Sequence, residues 1–293
     1  TSKSGKRVDG LNVIEAFRNK GYQYIDNPED LEKVSASKLL GLFADEDIDY
    51  EIDRNPQEMP SLASMLSAGL KALNSSSRDD NGFVLFAENE NTDSAGHQND
   101  VAALMRDLWA FDDAVKVALE FQKNNPNTLV IVTGDHETGG FSPTYGRKNL
   151  EPAGANNYLN VGLQQLQQIE LFKMSLNEFS VQFKAKSKAV GSQAELSTYL
   201  DKMLADYFPG LILGDDLRDK ILNQGQLGPN SNYLPGNILA LAIARQTGFY
   251  WGTSGHTPTP ITVAAIGPGA AIFKGLDDNT AFAKKLRQLI SRK

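Results

Sequence analysis

The chain has 293 residues, enough for one large α/β domain or two smaller ones. Hydrophobic residues make up 41% and charged residues 22%, ordinary for a soluble globular protein, and a net charge of −7 argues against a nucleic-acid partner, because phosphate contacts rest on lysine and arginine. The absence of cysteine excludes disulfides and thiolate metal sites, and no apolar run approaches the roughly 18 residues of a membrane span.

The start, Thr1-Ser-Lys-Ser-Gly-Lys-Arg7, is polar and lacks a signal-peptide core, so the expectation is a processed chain or a stretch of a larger protein. Leu11 to Lys20 has helical spacing, and Gly21-Tyr-Gln-Tyr-Ile25 reads as a strand after a glycine stop. Leu39 to Ala44 is a compact apolar run that predicts a second strand. Pro60 precedes a helical pattern over Ser61–Leu73, and Asp80-Asn-Gly82 predicts a turn. Phe83-Val-Leu-Phe-Ala87 predicts a buried strand.

The strongest helix pattern follows Gly96, where Val101, Leu104, Met105, Leu108, Phe111, Val115 and Leu119 form one apolar stripe. Asn124-Asn-Pro126-Asn ends it, and Thr128–Thr133 predicts another strand. Strand, helix and strand with short connections predict a right-handed βαβ unit in a mainly parallel sheet. Residues 145–249 differ: helical patterns near Val161–Phe172, Gln193–Tyr207 and Ile238–Thr247 alternate with breaks at Gly154–Asn157 and Gly225–Asn237. Pro260–Gly267 predicts a further strand and Thr280–Ile290 a closing helix. The expected organisation is therefore an α/β core of residues 1–144 and 250–293 with a helical insertion at 145–249.

The chemistry gathers around the chain's three histidines. His97 closes Glu88-Asn-Glu-Asn-Thr-Asp93-Ser-Ala-Gly-His97, His136 follows Asp135 after an apolar run, and His256 lies in Trp251-Gly-Thr-Ser-Gly-His256. Imidazole is the commonest nitrogen ligand for zinc, and carboxylates complete such sites. Asp93 and His97 stand four residues apart, on one face of a helical turn. Glu88 and the Asp135-His136 pair fall at the ends of predicted strands, where α/β sheets place ligands. Taken singly, each histidine reads more readily as a surface or loop residue; together they predict a metal centre.

These residues carry a resemblance to the alkaline phosphatases. Phe86-Ala-Glu88, Asp93 and Gly-His97-Gln-Asn-Asp resemble the family's glutamate, aspartate and histidine motif, and Ile131-Val-Thr-Gly-Asp135-His136-Glu-Thr-Gly-Gly resembles its Asp-His motif. His256 and the strand after it are similar to the last zinc histidine and its sequel. The likeness covers about residues 8–145 and 250–293. It implies a three-layer α/β sandwich, with a central mainly parallel sheet between helices, and hydrolysis of phosphate monoesters.

The resemblance further implies two zinc ions and one magnesium: Asp93, His97 and His256 on the first zinc, Asp135 and His136 on the second, and Glu88 at the magnesium. It implies a homodimer in the periplasm or outside the cell. The family's nucleophilic serine and phosphate-binding arginine precede the matched region, and the chain has no counterpart of either. Ser94 echoes the nucleophile motif, but the spacing from Glu88 to Asp93 to His97 assigns that string to the metal motif. The expectation is therefore a C-terminal portion, inactive by itself and dependent on an N-terminal segment. Competing expectations are a phosphodiesterase or cofactor-independent phosphoglycerate mutase of the same superfamily, or a noncatalytic zinc-binding protein.

Overall fold

The computed structural model describes residues 7–76, 82–147, 158–223 and 235–291. The expected turn at 80–82 and the breaks at 154–157 and 225–237 lie wholly or mostly outside the described residues. The chain opens with α1 (Val13–Arg18), β1 (Gln23–Ile25), α2 (Pro28–Glu32), β2 (Leu39–Gly41) and α3 (Leu62–Ser76). The short helices are started by side chains: Asn12 accepts from the Glu15 amide, and Asn27 accepts from Asp30 with Pro28 in the first turn. Next come α4 (Asn91–Gln98), α5 (Val101–Asn124), β3 (Val130–Val132), β4 (Glu137–Thr138) and β5 (Phe141–Pro143). The middle region holds β6 (Tyr145–Arg147), β7 (Tyr158–Asn160), α6 (Leu163–Glu170), α7 (Leu176–Ala189), α8 (Gln193–Tyr207), α9 (Asp215–Leu222) and α10 (Gly236–Thr247). β8 (Phe249–Trp251), β9 (His256–Thr257), β10 (Ala264–Ile266) and α11 (Asn279–Ile290) complete it.

Among the described residues the strands form five two-stranded pairs. Only β1 and β2 run parallel; β3 with β10, β4 with β9, β5 with β8 and β6 with β7 are antiparallel. The mainly parallel central sheet expected from the sequence is thus not formed among the described residues. The reason lies in Phe83–Ala87, the strand that a βαβ unit needs beside β3. It makes no ladder, and Val84 and Phe86 are 70% and 82% exposed. β3 pairs instead with β10, in the register Ile131↔Ala265.

The largest apolar core belongs to the helices of the middle region. Phe172, Phe179, Phe183, Leu200, Phe208 and Ile238 are all buried to within 1% of complete, and Val101 and Ala102 of α5 join them. α7 and α8 start under serine caps, Ser175 accepting from Glu178 and Ser192 from Glu195. Two smaller clusters lie elsewhere: Ile25, Leu31, Val34, Ala68 and Ala72 around α3, and Tyr50, Ala95 and Ala103 between α4 and α5. No helix among the described residues is long and apolar enough to cross a membrane.

Candidate metal centre

α4 carries Asp93 and His97 on one face, and His97 Nε2 lies 3.2 Å from Asp93 Oδ2. The other ring nitrogen of His97, Nδ1, is 2.6 Å from the Ser254 carbonyl oxygen. A carbonyl only accepts, so Nδ1 carries the proton and Nε2 presents its lone pair. This is the arrangement in which a backbone oxygen fixes the tautomer of a metal-ligating histidine.

His256 reaches the same point from the far end of the chain. β9 pairs with β4 in the register Thr138↔His256, which sets its imidazole over the end of α4. His256 Nε2 lies 3.1 Å from His97 Nε2 and 3.6 Å from Asp93 Oδ1. One ligand atom from each of Asp93, His97 and His256 falls within 4.8 Å of the others. Tetrahedral zinc with bonds of about 2.0 Å holds its ligand atoms about 3.3 Å apart. His97 Nε2 lies near that spacing from both His256 Nε2 (3.1 Å) and Asp93 Oδ2 (3.2 Å), while the 3.6 Å approach of His256 is to the other carboxylate oxygen, Oδ1; two imidazole nitrogens and a carboxylate are donors of the kind zinc takes.

Two glycines permit this approach. A Cβ on Gly96 would stand 2.8 Å from the Thr138 carbonyl oxygen, so only glycine lets α4 touch β4. Gly139 has φ +93°, and a Cβ there would strike the Trp251 ring at 2.5 Å and the Gly96 oxygen at 2.8 Å.

His136 stacks on His256, with ring centroids 3.6 Å apart and planes 21° from parallel. Its Nε2 is 3.2 Å from Asp135 Oδ2, and the Asp135 side chain is 85% exposed. The Thr138 hydroxyl donates to Asp93 Oδ1 and lies 3.1 Å from His136 Nδ1. With its single proton given to the carboxylate, Thr138 accepts from His136 Nδ1–H and so joins Asp93 to His136. Sequence reasoning missed Thr138, because the bond it makes reaches Asp93, 45 residues back, and leaves no local pattern.

Glu88 stands outside this convergence. It lines a separate cleft of about 180 Å³ with Asp47, Asp49, Glu51, Glu90 and Asp107. Arg54 holds Glu51 through paired bonds of 2.6 and 2.8 Å. Asp107 is buried there; burial, with a smaller push from Glu51, raises its carboxyl to about 7, against a bond from the Glu51 amide. Burial likewise raises Asp49. Ile48, Leu62 and Met65 share the lining with these carboxylates, so the cleft is acidic but only partly polar. Ser94 is turned back along α4, its hydroxyl donating to Glu90 Oε1 at 2.9 Å.

The middle helices anchor to this region at the base of α5. Asp100 caps α5 by accepting from Ala102 and Ala103 with one oxygen and from the Leu176 amide with the other. Asp53 accepts from the Ser175 amide at 3.0 Å, and Arg106 donates to the Glu170 and Phe172 carbonyls. Burial raises the Asp100 carboxyl to about 6 despite its three amide partners.

Comparison with known proteins supplies the context. A sequence model described as alkaline phosphatase matches residues 1–291, the middle helices included. Alkaline phosphatase 3 of Bacillus subtilis is 31% identical over 279 residues, covering 94% of this chain and 54% of the relative. The repressible alkaline phosphatase of Saccharomyces cerevisiae is 42% identical over 147 residues, covering 46% of this chain and 26% of the relative. The crystal structure of Thermus thermophilus alkaline phosphatase superposes with a TM-score of 0.76 at 28% identity, over 96% of this chain and 58% of the other. The chain spans about half the length of the first of these relatives.

Proposed function

The chain belongs to the alkaline phosphatase family, and from that premise we propose that it forms the metal-binding portion of a phosphate monoester hydrolase. Asp93, His97 and His256 hold the first zinc, Asp135 and His136 contribute to the second, and Glu88 serves a magnesium ion in the neighbouring acidic cleft. Zinc bound there supplies Lewis-acid stabilisation of a phosphoryl group and acidifies a bound water. The chain's own residues prepare that chemistry. The Ser254 carbonyl keeps His97 in the tautomer that offers Nε2. Thr138 ties the Asp93 carboxylate to the His136 ring, so the ligands of both sites share one hydrogen-bonded frame.

A single observation carries the reading: His256, 159 residues beyond His97, brings its Nε2 to within 3.1 Å of that histidine's Nε2. The nucleophile is assigned to polypeptide outside these residues, because the Ser94 hydroxyl is taken up by the Glu90 carboxylate at the start of its own helix. The exposed segment around Phe86 gives such polypeptide an apolar surface to cover. A homodimer and an exported location go with the same reading.

Metal analysis by mass spectrometry tests it. Purified chain is expected to retain about one zinc, lost in His256→Ala, as a set of three protein ligands with the fourth position open to water implies. Equal zinc in both proteins would refute the site. Supplied with the remaining polypeptide of the enzyme, the chain should turn over an aryl phosphate monoester faster than a diester; the reverse preference would refute the substrate class.

A further inference from the structure

α4 ends at Asn99, whose φ of +58° and ψ of +35° lie in the left-handed region. It is the one non-glycine with positive φ among the described residues. Glycine is the usual residue at such a helix end, because a side chain there crowds the backbone. Asparagine tolerates the conformation better than most residues, and here its amide is used. Nδ2 donates to the Gly96 carbonyl at 3.0 Å, closing its own helix. It also donates to the Thr253 carbonyl at 2.8 Å, 154 residues away.

Thr253 belongs to the loop that delivers His256. The same loop accepts from His97 Nδ1 at Ser254, and it is held from the other side by Thr253 N to Gly139 O and Gly139 N to Gly255 O. Without Asn99, the bond joining the end of α4 to residues 253–254 would come from His97 alone. A ligand would then have to orient the loop and the ion together.

We infer that Asn99 is a positioning residue for the first metal site. Its carboxamide locks the loop bearing His256 to the end of the helix bearing Asp93 and His97, so the three ligands are aligned before an ion arrives. The inference rests on the metal-centre reading above and adds to it a residue that touches no ion.

Three substitutions separate the bridge from the backbone. Asn99→Gly keeps the left-handed turn and removes the amide. Asn99→Asp keeps the shape but turns an acceptor toward two carbonyl oxygens. Asn99→Ala removes the amide and adds backbone strain. Zinc affinity is measured on purified chain by competition with a chelating dye, coordination by the visible spectrum of the cobalt(II) form, and folding by melting without metal.

Asn99→Gly and Asn99→Asp are expected to bind zinc about 10- to 100-fold more weakly, the range seen when partners of metal ligands are removed. Their cobalt spectra should shift, while the metal-free melting of Asn99→Gly should match wild type. Zinc affinity of Asn99→Gly equal to wild type overturns the assignment. So does an affinity loss that follows the metal-free melting temperature across all three variants, since Asn99 would then serve folding alone. Zinc binding that is the same in wild type and His256→Ala is a separate outcome; it overturns the metal centre itself, and this inference with it.

Discussion

Residues 163–249 and the segments that surround the histidines differ in what they bury. The first enclose Phe172, Phe179, Phe183 and Phe208 almost completely. The second present Val84, Phe86, Leu108 and Trp109 to solvent and pair their strands only two at a time. Apolar burial is the main driving force of folding, so the middle helices carry most of the stability the described residues can supply. The candidate ligands sit over smaller buried side chains, Ala95 and Ala103 among them. They are held instead by directional bonds: a carbonyl on His97, a hydroxyl on Asp93, an amide on Thr253. Stability and chemistry are housed apart, and Asp100, Asp53 and Arg106 fasten one to the other.

The largest effect that would test this division comes from the helical core. Phe179→Ala should cost about 3–5 kcal/mol in urea unfolding, the usual range for a fully buried aromatic. A loss below about 1 kcal/mol would place the stabilising core elsewhere.

A smaller effect is expected at the fastening. Asp100→Ala removes a helix cap and strands the Leu176 amide, together about 2–4 kcal/mol. The loss should depend on pH. An unfolded aspartate titrates near about 3.9, and burial raises Asp100 to about 6 in the fold. Its folded-state pKa is the higher one, so its contribution is fully present below the unfolded value and is lost as pH rises through about 6. The gap between wild type and Asp100→Ala should therefore narrow between acidic and neutral pH. A gap that widened would mean the ionised carboxylate is the form the fold prefers.

The smallest effect belongs to the exposed segment. Phe86→Ser should leave stability within about 0.5 kcal/mol of wild type. A loss several times larger would show this segment to be packed, and the contrast between the regions would fail.

The sequence made the helices legible where apolar spacing was regular. Gln193–Tyr207 has the bounds its pattern predicts, and the stripe after Gly96 becomes α5. α7 was missed because Lys184, Lys186 and Lys188 dilute its pattern, although Leu176, Phe179 and Phe183 keep helical spacing. Phe83–Ala87 was misread because apolar composition signals burial only when something covers it. The antiparallel match of β3 with β10 is a non-local choice that neither segment encodes alone.

At the site, the Asp93–His97 spacing follows from helical geometry and could be read directly. Asn99 and Thr138 could not. Each acts on a group 45 to 154 residues distant, and a bond of that kind leaves no local period.

The short β4–β9 ladder, which sets Thr138 against His256, has a consequence for the unfolded chain as well. An ion gripping His97 and His256 would add a tie between residues 159 apart to those that the ladder and the Asn99–Thr253 bond already make, and long loops are entropically costly to shut. The cation would thus work as a removable staple, holding the two ends of the helical excursion together. Chelation would remove one tie among several, leaving Asp100, Asp53 and Arg106 to hold the helices to their base.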